Sequence, residues 1–222
     1  MSTNLTDQAK ALVNNFYGGT SQFERASKAY GSSPELAERI YNYATKGWFS
    51  FSSPILSNTD KGLPISCFLS YVPDTISGIV GHQSEFCHMS TKGGGVGGHW
   101  GSVRSPDTEK SFGVIPFIKA MDSLQLAFKQ GKTRAGAYAT YLDVSHPEIE
   151  EYLQIRTPSG GDPNRKAMNL NIAINITDSF MHAVQSNSSW DLVNPHTRQV
   201  EKTISARTLW QQILETRHRT GE

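Results

Sequence analysis

The sequence predicts an α/β fold in which parallel strands are flanked by outer helices. Three apolar runs, LPISCFLSYV, AGAYATYLDV and MNLNIAINI, have the length and pattern of strands. Helix-patterned stretches separate them, and strands alternating with helices imply parallel pairing with the helices outside. Between two of those stretches, Gly93, Gly94, Gly95, Gly97 and Gly98 place five glycines in six positions, which reads as a turn. In such folds the loops joining the elements hold the chemistry.

The first fifty residues read as helical. Thr6 is placed to cap DQAKALVNNF, and Ser33 with Pro34 supplies cap and first-turn proline for PELAERIYNYATKG, which Gly47 ends. Leu36, Ile40 and Tyr43 share one face of that helix, so it should pack on something. From Leu63 the pattern changes. LPISCFLSYV is a continuous apolar run, expected of a strand buried on both faces. TISGIVGHQSEFCHM reads as a helix despite Gly78 and Gly81, and IPFIKAMDSLQLAFKQ reads as another. AGAYATYLDV is strand-like, and HPEIEEYLQI is helical with Pro147 in its first turn. SGGDPN, Ser159 to Asn164, is a turn, and MNLNIAINI alternates at Leu170, Ile172 and Ile174 as a strand should. DSFMHAVQ and ARTLWQQILETRH complete the series as helices, the second capped by Ser205. No internal repeat or low-complexity segment interrupts it.

Composition narrows the function classes. The 222 residues carry a net charge of +1, which argues against a nucleic-acid binder and its basic excess. No apolar stretch approaches the ~18 residues of a membrane span, and MSTNLTDQAK has no secretory signal pattern. Cys67 and Cys87 are the two cysteines, without metal-type spacing, so a reduced cytoplasmic setting and no metal site are expected.

Ser52 to Phe68 (SSPILSNTDKGLPISCF) and Thr91 to Gly98 (TKGGGVGG) together read as a nucleotide-phosphate pocket with a thiol in its floor. Each part has a plainer alternative. Glycine clusters are usually flexible loops, and no Gly-Lys-Ser/Thr follows this one to make a Walker loop. Ser52, Ser53 and Pro54 suit an ordinary helix-to-strand connector, and Cys67 suits an inert buried thiol. Asp74 either caps the helix beginning near Thr75 or binds a ribose hydroxyl. KQGKTRAGAYA, Lys129 to Ala139, is either a basic recognition loop or a solvated helix end.

The order of these features is more specific than any one of them. Ser-Pro, Ser-Cys, Asp seven residues after the cysteine, the glycines near plus twenty-eight, Arg104, IPF and Gln-Gly-x-x-Arg-x-Gly resemble the large catalytic subunit of ribonucleotide reductase. The resemblance runs from about Ser52 to Glu222. It implies the first half of a ten-stranded α/β barrel over residues 51–222, after an N-terminal helical segment over 1–50. It implies that Ser53 contacts substrate phosphate, that Ser66 and Cys67 line the substrate ribose, and that Gly94 and Gly95 let the backbone lie beside the substrate. Cys67 would be one of two cysteines that reduce the 2′ position and become a disulfide. Asp74 would bind the ribose of a deoxynucleotide effector and Arg104 its phosphates, with Thr75 also in the effector site. Gln130, Gly131, Lys132, Thr133, Arg134, Ala135 and Gly136 would form the loop relaying effector identity, with Arg134 reaching toward the substrate.

The sequence departs from the family at three places. The loop SPDTEKSF after Arg104 is short and has only Lys110 where a second phosphate-binding arginine is expected. The region before Ser52 is too short for the ATP cone of many relatives, so no ATP/dATP switch is expected. The family's thiyl-radical cysteine, its neighbouring Asn and Glu, and the second redox cysteine all lie beyond HRTGE. The resemblance therefore implies a complementary C-terminal half of the subunit. It also implies a homodimer through the effector site, a radical source (a metal-bearing small subunit or adenosylcobalamin) and a dithiol reductant such as thioredoxin or glutaredoxin. The ligands would be a ribonucleoside di- or triphosphate substrate and a deoxynucleotide effector, with no membrane or nucleic acid partner. Two rivals stand beside it: a non-catalytic nucleotide-binding module, and an enzyme using Cys67 as nucleophile with His82 or His99.

Overall fold

The computed structural model describes residues 6–17, 19, 21–58, 65–107, 111–128 and 136–221. They fall into two compact units, one ending at Ser66 and the other beginning at Cys67. No helix among the described residues is long and apolar enough to cross a membrane.

Four helices build the first unit: α1 (Asp7–Tyr17), α2 (Ser21–Tyr30), α3 (Pro34–Thr45) and α4 (Ser53–Asn58). Thr6 Oγ1 accepts from Ala9 N and Ser33 Oγ from Leu36 N, each at 3.2 Å, as the cap residues predict. The packing face of α3 is rotated from the expected stripe. Ala44 is buried with Phe23, Ala26, Phe51 and Leu56, and Ile40 packs on them, while Tyr43 is 40% exposed and leans on Trp48. Ser53 and Pro54 open the short helix α4, within the connector expected between the helices and the first strand.

The second unit is a parallel sheet in the order β1 (Cys67–Tyr71), β2 (Gly95–His99), β3 (Ala137–Asp143), β4 (Asn171–Asn175). Helix α5 (Ile76–Thr91) connects β1 to β2, and α6 (Ile115–Ala127) connects β2 to β3. The single turn α7 (Ile149–Tyr152) lies between β3 and β4. That stretch is less helical than HPEIEEYLQI suggests, because i+3 bonds (Gln154 N to Glu151 O, 2.8 Å) tighten the chain out of the α conformation. Helix α8 (Asp178–Ser186), the antiparallel hairpin β5 (Ser189–Val193)–β6 (Val200–Ser205) and α9 (Ala206–Thr220) follow. The partial barrel thus consists of four parallel strands among the described residues, with helices between them.

Strand alternation separates two faces. Val96, Tyr138, Thr140 and Leu142 are buried in a core with Phe86, Ile118, Met121 and Tyr152. On the opposite face, Cys67, Leu69 and Tyr71 of β1 are exposed. Leu69 is 78% and Tyr71 59% exposed. Residues 65–72 are therefore not buried on both faces: among the described residues β1 lies at the end of the sheet, and Leu69 and Tyr71 look outward while Phe68 packs on the core.

The glycine-rich stretch differs most from its expected form. Only Lys92 and Gly93 form a turn, and Gly95–His99 is the strand between β1 and β3. Its glycines make room for neighbouring side chains. A Cβ on Gly97 would lie 2.6 Å from Leu69 Cδ2, and one on Gly98 would lie 2.7 Å from His82 Nε2.

Candidate functional site

Two ends of the sheet hold the candidate residues. Cys67 begins β1, in register with Gly95 of β2 and, one strand further, with Ala137 of β3. It is exposed and in no disulfide. Gly94 and Gly95 lead into β2, and Gly136 precedes β3, so these residues share the N-terminal end of the sheet with Cys67. A Cβ on Gly94 would strike the Phe68 ring at 2.6 Å, on the core side opposite Cys67, so this glycine makes room for packing. Ser53 and Ser66 belong to the first unit, where Ser53 opens α4 and Ser66 immediately precedes Cys67 in the chain. Gln130, Gly131, Lys132, Thr133, Arg134 and Ala135, together with Lys110, lie outside the described residues.

Asp74, Thr75 and Arg104 meet at the other end, about one five-residue strand or ~17 Å away. They line a cavity of about 360 Å³ with Ile79, Pro116 and Phe117. Thr75 is the cap of α5, its Oγ1 accepting from Gly78 N at 3.0 Å, so Asp74 is not the cap. The Asp74 carboxylate instead turns to the loop after β2. Arg104 Nε donates to Oδ2 at 2.8 Å and Arg104 N to Oδ1 at 3.3 Å. Helix α6 begins at this cavity, with Pro116 and Phe117 in its wall, and ends at Ala127, just before residues 129–135.

Sequence reasoning missed the residues that hold this loop in place. Buried His146 donates from Nε2 to Val103 O at 2.9 Å, while its Nδ1 accepts from Glu148 N at 3.1 Å. Those bonds fix the neutral tautomer, and burial lowers its pKa. Glu148 Oε2 accepts from Val114 N at 2.7 Å, satisfying the start of α6. Burial pushes its carboxyl up to about 7, and the Val114 N–H and Arg165 only partly oppose that. Asn194, His196 and Glu201 come from the β5–β6 hairpin. Its signal was present in the sequence as the Asn194-Pro195 turn between SWDLV and VEKTIS.

Neither histidine suits a nucleophilic Cys67. His82 bonds Ser70 Oγ (2.7 Å) and Tyr138 OH (2.5 Å) on the helix-covered face, opposite Cys67 by strand alternation. Burial lowers its pKa. His99 pairs with Asp143 Oδ1 at 3.0 Å and is level with Tyr71, four residues or ~13 Å along the strand from Cys67. Cys87 lies on α5 against the core, where burial raises its thiol pKa. Among the described residues no group of three or more His, Cys, Asp and Glu is placed to hold a metal ion.

The family described as the ribonucleotide reductase barrel domain matches residues 65–222. The chain belongs to the ribonucleotide reductase family. It is 52% identical over 222 residues to a putative ribonucleoside-diphosphate reductase large subunit of Frog virus 3 (isolate Goorha). That similarity covers 98% of this chain and 39% of the viral protein. The large subunit of Invertebrate iridescent virus 6 is 40% identical over 210 residues, covering 90% of this chain and 22% of its own length. Among solved structures, the alpha subunit of the class Id ribonucleotide reductase of Actinobacillus ureae superposes with a TM-score of 0.71 at 26% identity. It covers 99% of this chain and 39% of its own. The chain thus spans about two-fifths or less of these relatives' length, consistent with the N-terminal portion of a reductase large subunit.

Proposed function

We propose that the chain is the N-terminal part of a ribonucleotide reductase catalytic subunit, acting with a complementary C-terminal part on ribonucleoside di- or triphosphates. Cys67 supports this reading best. It stands exposed at the N-terminal end of β1, level with Gly95, on the face opposite the core. In the reaction a radical takes the 3′ hydrogen atom and returns it at the end, and the 2′ hydroxyl leaves as water. Cys67 and a second thiol from the C-terminal part then pass two electrons and two protons to the nucleotide and close to a disulfide. Thiolate is the reducing form, so Cys67 must be reachable and able to ionise.

In this reading residues 51–222 are the first barrel half and 1–50 a helical preface. Ser53, Ser66, Gly94, Gly95 and Arg134 hold the substrate, and Asp74, Thr75 and Arg104 hold a deoxynucleotide effector. The segment from Gln130 to Gly136 passes effector identity on, and α6 supports that role by running from the Asp74–Arg104 cavity to the segment's start. The working assembly is a cytoplasmic homodimer through the effector site. It includes a radical source, either a metal-bearing small subunit or adenosylcobalamin, and is recharged by thioredoxin or glutaredoxin. The test reconstitutes the chain with its C-terminal part, a radical source and a dithiol, and measures deoxynucleotide formation for wild type and Cys67→Ser. The variant should fall to background. Product formed at the wild-type rate would leave Cys67 a packing residue and favour a nucleotide-binding module.

A further inference from the structure

Asp74 faces Arg104 and His196 with one oxygen. Arg104 Nε donates to Oδ2 at 2.8 Å, and His196 Nδ1 stands 3.3 Å from the same atom. His196 comes from the turn between β5 and β6, and that turn is firmly built. The backbone N–H groups of His196 and Thr197 donate to Asn194 Oδ1 at 2.8 and 3.1 Å. Asn194 Nδ2 donates to Ser105 Oγ at 2.8 Å and to Glu201 Oε1 at 2.6 Å, and Ser105 Oγ donates to Glu201 Oε1 at 2.5 Å. The hairpin is therefore fastened to the residue beside Arg104, and its imidazole is held at the back of the Asp74 carboxylate.

This arrangement poses a charge problem for an anionic ligand. An arginine tied through Nε to a carboxylate offers a phosphate a largely neutralised charge, and leaving Asp74 without a cation would be costly. We propose that His196 is a positioning residue of this cavity. As a polyphosphate-bearing nucleotide arrives, His196 takes over the Asp74 carboxylate and releases the Arg104 guanidinium to the phosphates. The inference rests on the reading of the cavity as a nucleotide effector site.

Imidazoles change charge between about pH 5 and 8, so the exchange is favoured on the acid side, where imidazolium replaces guanidinium charge for charge. The charged and titratable groups described on the elements meeting here include Asp74 after β1, Arg104 and Asp107 after β2, Glu85 on α5, Lys119 and Asp122 on α6, His146 and Glu148 beneath Val103 and Val114, and Arg198 and Glu201 on the hairpin. Lys202 is engaged with Glu150. Glu148, raised to about 7 by burial under the start of α6, also changes charge in that window, but it is common to wild type and His196→Gln and cancels in their ratio.

The test is calorimetric titration of the chain assembled with its C-terminal part, with thymidine triphosphate and separately with inorganic tripolyphosphate, at pH 6 and pH 8. Wild type, His196→Gln and Arg104→Gln are compared. His196 is 53% exposed at its side chain, so its replacement leaves the core alone, and matching circular dichroism spectra confirm this. Arg104→Gln should lose most binding at both pH values. His196→Gln should match wild type at pH 8 and bind about threefold more weakly at pH 6, the scale of a partly exposed ion pair. Protonation of the phosphates is common to both proteins and cancels in the ratio. Equal weakening at both pH values, or none, with Arg104→Gln still defective, overturns the role of His196 and leaves the nucleotide site standing. Binding indifferent to Arg104, or no wild-type binding, overturns the nucleotide site and the inference with it.

Discussion

Replacing Gly98 with alanine tests whether the glycines of β2 serve packing. The new methyl would sit 2.7 Å from His82 Nε2 and closer still to the Tyr138 hydroxyl. That hydroxyl joins His82 Nε2 at 2.5 Å and accepts from Trp100 Nε1 at 2.9 Å, and His82 Nδ1 meets Ser70 Oγ at 2.7 Å. His82, Trp100 and Tyr138 are all buried, so they cannot yield without breaking one of these bonds. An orphaned buried group costs ~1–3 kcal/mol, and overpacking a strand in a filled core adds ~1–3 kcal/mol. At roughly 2–4 °C per kcal/mol for a domain of this size, the melting temperature should fall by ~5–20 °C. Gly93→Ala is the control: at φ 96 with open space around it, it should cost only ~1–2 kcal/mol of backbone strain. Differential scanning calorimetry of both variants decides the matter. A Gly98→Ala protein melting within ~2 °C of wild type would refute the packing role.

Two further outcomes follow from buried carboxylates. Glu148 has a folded pKa of about 7 against an ordinary 4.5, raised by burial, so the folded chain keeps a proton that the unfolded chain releases. Its contribution to stability is complete below pH 4.5 and is lost as pH rises through about 7. Wild type should lose on the order of 3 kcal/mol over that window, and Glu148→Gln should flatten the slope in urea titrations; an unchanged slope would contradict this. Asp122 is 1% exposed and accepts from Asn169 N (2.7 Å), Leu170 N (3.1 Å) and Asn169 Nδ2 (2.9 Å). Asp122→Ala should cost ~2–4 kcal/mol and Asp122→Asn less, and a cost below ~1 kcal/mol would show that the donors find other acceptors.

How far the sequence could be read depended on whether a feature was local. Caps at Thr6, Ser33 and Ser205, and the strand periods at Leu170 to Ile174, are set by neighbouring residues and were legible. Gly97 and Gly98 of β2 were not, because their cause lies in Leu69, Tyr138, Tyr141 and His82, which the chain brings beside them from other elements. The position of β1 at the end of the sheet among the described residues could not be read either: LPISCFLSYV has the composition of a buried strand, and only the sheet order places it there. At the candidate site, Asp74, Thr75 and Arg104 were legible through family spacing, and the structure gathers them around one cavity. The same spacing says nothing of His196 or Glu148, which reach that end of the sheet from remote elements.

The central claim is that Cys67 is one thiol of a redox pair that reduces a nucleotide. The most direct measurement is a single turnover without external reductant, using the chain, its C-terminal part, the radical source and substrate. Alkylation of Cys67 is then followed by peptide mass spectrometry. About one deoxynucleotide per chain should form, Cys67 should lose its reactivity in step with product, and a dithiol should restore both. Cys67 fully alkylatable after product has formed would contradict the claim.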